Sequence, residues 1–112
     1  MAEVTLAPQR LVQGGLAPVR QAVLTADVYL AANDGRVALH VRNNGVGAVN
    51  VTVVTQAQVA GNAIADRVVA IPAGQERMIG DLPPAVFNDP NNLLRVQFDT
   101  QDTIDLLVFR LP

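Results

Sequence analysis

Cysteine, serine, lysine and tryptophan are all missing from this 112-residue chain. Without cysteine there is no disulfide framework, no thiolate nucleophile and no zinc–thiolate centre. Without serine and lysine, serine-hydrolase, Schiff-base and phosphate-loop chemistries are gone as well. Charge is sparse, at 16% of residues, and the eight basic residues are all arginines scattered along the chain. A net charge of −2 provides no concentrated basic face, so nucleic acid is not an expected partner. Apolar runs stay short of the roughly 20 residues that a bilayer-spanning helix needs. The opening MAEVTLAPQR carries an acidic residue where a secretory signal would be basic. Neither membrane insertion nor export is expected.

What the chain does have is hydrophobicity, at 50% of residues, in a length that suits one domain with its own core. The stretch RVALHVRNNGVGAVNVTVVT, residues 36–55, organises the rest. Val37, Leu39 and Val41 alternate with Ala38, His40 and Arg42. After Asn44, Gly45, Val46 and Gly47, a second alternation sets Val49, Val51 and Val53 against Asn50 and Thr52. Period two means one buried and one wet face, and the glycine-containing turn between the two runs predicts a hairpin at the centre of an antiparallel sheet.

Residues 1–18 read differently. Two prolines, the Gly14-Gly15 pair and the lack of alternation predict an extended arm that packs without joining a regular sheet. Val4, Leu6, Leu11, Val12 and Leu16 are too apolar for a solvated tail, so the arm either closes an edge of its own sandwich or lies on a partner. Residues 19–112 form the folded domain. Residues 19–30 read as a strand, followed by a turn at Asn33, Asp34 and Gly35. A hairpin reversing at Gly61 and Asn62 returns through Ile64, Val68, Val69 and Ile71 toward a turn at residues 72–75 and a short strand over 77–82. Pro83 and Pro84 stop that strand, and one helical turn fits Ala85, Val86 and Phe87. Leu94, Val96 and Phe98 form another half-buried strand. The last strand, residues 103–111, is apolar on both parities, so it is central or its second face meets another molecule. About seven short strands with no amphipathic helix predict an all-β fold: a small antiparallel β-sandwich, immunoglobulin-like or jelly-roll-like, with an extended N-terminal arm.

No constellation carries chemistry. His40 is the sole histidine and has no partner in the sequence pattern, so it reads as a cross-strand surface residue. Asp99, Asp102 and Asp105 lack the spacing of a calcium loop. No catalytic residue, metal or cofactor is expected. Phe98 and Phe109 read as buried, which leaves Tyr29 and Phe87 to face outward, too few aromatics for a sugar-binding platform. Phe87 is either a plug at the bottom of the sandwich or a contact on a partner.

Five segments carry a resemblance: GLAP (15–18), LHVRNNG (39–45), VNVTVVTQ (49–56), IPAGQERMIGDLPPAVFND (71–89) and FRLP (109–112). Together they resemble small virion proteins of tailed bacteriophages and prophages, of the head-decoration or capsid-cementing kind. The resemblance implies a non-enzymatic structural protein, often trimeric, that binds the outside of the major capsid protein shell and stabilises it. Its location would be the capsid surface, after assembly in the host cytoplasm. A head-tail connector or tail component, and a host-surface or glycan-binding appendage domain, are the alternatives. The expected partner contacts are Val4, Leu6, Pro8, Leu11, Val12 and Phe87.

Overall fold

The computed structural model describes residues 3–63, 65–100 and 103–111. Among them, twelve short strands and one helical turn follow in order: β1 (Glu3–Thr5), β2 (Gln9–Arg10), β3 (Gln21–Ala22), β4 (Val28–Ala32), β5 (Val37–Asn43), β6 (Val49–Val53), β7 (Gln58–Val59), β8 (Asn62–Ala63), β9 (Arg67–Ile71), β10 (Glu76–Ile79), α1 (Pro84–Phe87), β11 (Leu93–Phe98) and β12 (Ile104–Arg110). Ten strands make two five-stranded sheets. The first runs β1-β4-β11-β6-β9; the second runs β10-β5-β12-β2, with β3 also on β12. The expected all-β sandwich is what forms.

The pairing is nested. β3 pairs with β12, β4 with β11, β5 with β10 and β6 with β9, all antiparallel. This is one long hairpin of eight strands, curled so that β12 also meets β5 and β11 also meets β6. Such a double curl is the jelly-roll order, which decides between the two sandwich types the sequence left open. The small β7–β8 hairpin sits in the innermost connection, reversing at Ala60 and Gly61, both at positive φ. That is one residue earlier than the sequence predicts. Ile64 lies outside the described residues.

Residues 36–55 are therefore no hairpin. β5 belongs to the second sheet and β6 to the first, so the turn between them is an arch across the core. The parity is as expected: Leu39, Val41, Val49, Val51 and Val53 are fully buried. Alternation reports which side chains are buried but not whether two consecutive strands pair or face each other. Residues 19–30 divide for the same reason. β3 lies in the second sheet and β4 in the first, with a turn closed by Asp27 N–H donating to Leu24 O at 3.2 Å. Both residues 33–36 and 43–48 are corners between sheets, and each is locked by a buried asparagine. The Asn33 Oδ1 accepts from Gly35 N–H (3.0 Å), and its Nδ2 donates to Leu82 O and Asn88 Oδ1 (2.8 Å each). The Asn43 Oδ1 accepts from Gly45 N–H (3.0 Å), while its Nδ2 donates to Gly47 O (2.8 Å) and Ile71 O (3.0 Å).

The arm joins both sheets. β1 runs parallel to β4, and β2 runs parallel to β12. Leu6 N–H donates to Leu30 O (2.7 Å) and Leu11 N–H to Arg110 O (2.9 Å). The excursion from residue 9 to 19 is closed by a two-way amide clamp. Gln9 Nε2 donates to Val19 O (2.6 Å) and Val19 N–H donates to Gln9 Oε1 (2.9 Å). The proline and glycine content that argued against a regular strand limits the pairing to two short pieces instead of preventing it.

Candidate interaction surface

The expected contact residues divide by burial. Val4, Leu6 and Phe87 pack partly buried against the core. Leu11 is half-buried, as is Pro8, which lines a cleft of about 540 Å³ with Asn33, Asp34 and Arg110. Val12 is 54% exposed. Tyr29, expected to face outward, is buried at 2%. Its hydroxyl accepts from Leu24 N–H (2.8 Å) and donates to Ala22 O (3.4 Å), and its ring meets Phe98 edge-on at 5.8 Å. The reason is that β4 is buried on both parities from Val28 to Ala31.

The outer face of the second sheet carries the polar side chains the sequence singled out. Register places Glu76, Arg42 and Asp105 in one row, and Met78, His40 and Leu107 in the next. Arg42 Nη2 donates to Asp105 Oδ2 (3.1 Å). His40 is held between Arg20 Nη2 on its Nδ1 (2.9 Å) and Glu76 Oε1 on its Nε2 (3.1 Å). A guanidinium only donates, so Nδ1 accepts and Nε2 carries the proton toward Glu76. His40 is thus a fastener between Arg20, just before β3, and Glu76 of β10. Asp99 is likewise engaged, accepting from Asn50 N–H (2.8 Å) and Asn50 Nδ2 (2.9 Å); Asp102 lies outside the described residues. Among the described residues no group of three or more possible metal ligands is found. Also among them, no helix is long and apolar enough to cross a membrane.

β12 is central, and its second apolar face is covered. Leu107 and Phe109, each 7% exposed, line a groove of about 270 Å³ together with Leu11, Leu16 and Pro18 of the arm and the exposed Met78.

The two ends of the sandwich differ. At one end β1, β2 and β3 cover the edges of β4 and β12. At the other, no described strand pairs with the outer edge of β9 or β10. Asp99 N–H donates to Asn50 O, and Val54 N–H donates to Arg95 O, so even-numbered residues of β6 turn their main-chain groups toward β11 and odd ones toward β9. Val51 and Val53 then bond across to Val69 and Arg67, which leaves the N–H and C=O of Val68 and Ala70 pointing outward. By the same reasoning Asn43, whose N–H donates to Gln75 O, turns odd residues of β5 toward β10, and Glu76 and Met78 point outward there. Between these bare edges is a cleft of about 430 Å³ lined by Arg67, Val69, Arg77, Met78, Asp81 and Phe87, among others. Phe87 was legible as a plug or a contact; the arginine-flanked cleft above it was not, because Arg67 and Arg77 lie on strands of different sheets.

Comparison with family models, with curated proteins and with solved structures gives no match.

Proposed function

We propose that this chain is a non-enzymatic virion structural protein that binds the outer surface of a tailed-bacteriophage capsid, its partner the major capsid protein, and stabilises the shell. The observation that carries the reading is where the resembling sequence falls. Its longest segment, residues 71–89, supplies the turn after β9, all of β10 and the helical turn ending in Phe87, so it builds most of the uncovered end of the sandwich. A cementing protein needs a rigid frame and apolar surface where neighbours meet, and Val12, Val68 and Met78 provide such surface at 54%, 54% and 69% exposure. The titratable side chains weighed for chemistry, His40, Asp99 and Asp105, are each engaged in cross-strand contacts. Self-association as a homotrimer belongs to the same reading.

The test is co-sedimentation with empty shells assembled from the major capsid protein, together with the thermal stability of those shells. Binding at a stoichiometry matching the lattice, with a raised shell melting point, is the expected result. No binding overturns the proposal. A copy number of a ring would instead indicate a connector or tail component, and glycan binding without shell binding an appendage domain. Light scattering at micromolar concentration tests the trimer, and a monomer removes it.

A further inference from the structure

We propose that the bare end of the sandwich takes an extended, acidic segment of a partner protein as an added β-strand on the outer edge of β9. This deepens the capsid-binding reading by giving the partner segment its chemistry.

Three observations converge. First, β9 offers a free main-chain ladder: the N–H and C=O groups of Val68 and Ala70 point outward, and no described strand takes them. Strand addition uses such groups for affinity and the alternating side-chain pockets for selectivity. Second, the inward parity of the added strand would face an apolar floor, Val69 and Phe87, both partly buried against the core. Third, the cleft is unbalanced in charge. The Arg67 side chain makes no hydrogen bond or ion pair among the described residues, its main chain alone pairing with Val53. Arg77 donates only to neutral oxygens, Glu76 O (2.8 Å) and Gln75 Oε1 (2.9 Å). Against these two guanidiniums stands one carboxylate, Asp81. A guanidinium fork pairs best with a carboxylate, so the strand that fits carries acidic residues beside aliphatic ones on its inward face.

The geometry also selects the edge and the occupant. The guanidinium with no partner among the described residues, Arg67, stands on β9, whereas Arg77 on β10 already donates to two oxygens and Glu76 beside it turns to His40 on the outer face. A second copy pairing β9 with β9 about Val69 would set Arg67 against Ile71 and leave the guanidinium without a carboxylate.

The probe is a fluorescent peptide of sequence Thr-Glu-Thr-Val-Thr-Glu-Thr, with a lysine-for-glutamate version as control, titrated by polarisation against the intact protein. The acidic probe should bind and the basic one should not. Arg67→Glu with Arg77→Glu should weaken binding about tenfold or more while leaving the melting temperature unchanged. Val68→Pro removes only an outward N–H and should abolish binding, whereas Val69→Pro breaks the ladder to Val51 and should destabilise the fold. If Val68→Pro itself lowers the melt, N-methylation of the probe's backbone removes the same bonds without touching the protein. Equal binding of the two probes, or undiminished binding by Val68→Pro and by the N-methylated probe, overturns the proposal. So does a wild-type dimer that Val68→Pro converts to monomer, since the edge would then belong to a second copy. Because the peptide assay needs no capsid, loss of shell binding with the probe still bound would refute the capsid reading alone.

Discussion

Val51 and Val68 are both valines on paired strands, yet Val51 is fully buried and Val68 is 54% exposed. Val51→Asp places an unpaired charge in the core and is expected to cost several kcal/mol, a large share of the 5 to about 15 kcal/mol that a domain of this kind has. Val68→Asp should change stability by less than about 0.5 kcal/mol. Urea denaturation of the two variants checks this, and equal losses would refute the register. Asp34 provides a pH test. The Arg110 guanidinium, donating through Nε (2.9 Å) and Nη2 (2.6 Å), together with the Arg36 N–H, holds its carboxyl below the ordinary carboxylate value. A lowered folded-state value means the stabilisation is present above the unfolded pKa and is lost as pH falls through the folded one. Asp34→Asn should therefore reduce stability at neutral pH and leave the acid limb of the stability curve flatter than in the wild type. A wild-type acid limb unchanged by Asp34→Asn would remove the pair from the account.

Burial parity was legible along β5, β6 and β11 because period two follows from the backbone alone. Connectivity was not. An arch and a hairpin both need a glycine-bearing reversal between two alternating runs, and what separates them here is the buried amide of Asn43. It gathers Gly45, Gly47 and Ile71 from two connections. The bond to Ile71, 28 residues away, is what ties the two connections together, and no local pattern marks Asn43 out for it from Asn44 beside it. The arm was half legible: its apolar residues demanded cover, but two-residue parallel pairings leave no periodicity to read. The edge strands yield an element-scale prediction. Along β9, the amides of Val69 and Ile71 bond into the sheet and those of Val68 and Ala70 face outward; along β10, Arg77 and Ile79 face inward and Glu76 and Met78 outward. Native-state hydrogen exchange should alternate accordingly, slow at 69, 71, 77 and 79 and fast at 68, 70, 76 and 78. Uniform protection along β9 would mean that its edge is covered, and the added-strand proposal would lose its site.

The nested pairing makes the whole molecule depend on segments far apart in sequence, and the arm is the last of them. β1 closes the first sheet at β4 and β2 closes the second at β12, while Glu3 pairs with Arg95 (2.8 Å) across most of the chain length. Deleting residues 1–14 removes both parallel strands, the Gln9–Val19 clamp and the packing of Val4 and Leu6. Full burial of one such side chain is worth about 1.5–3 kcal/mol, and these two are half-buried. At about 4–8 °C per kcal/mol for a small domain, the truncated protein should melt well over ten degrees lower, or fail to fold. That outcome alone would not separate a structural arm from one that also touches a shell. Single substitutions do. Leu6 packs against the core, so Leu6→Asp should lower the melt whatever the partner. Val12 is mostly exposed, so Val12→Asp should leave the melt alone and weaken co-sedimentation with empty shells only if the arm is part of the contact. If Val12→Asp binds shells at full strength while the Arg67→Glu, Arg77→Glu variant does not, the arm closes its own sandwich and the shell is met at the opposite, uncovered end.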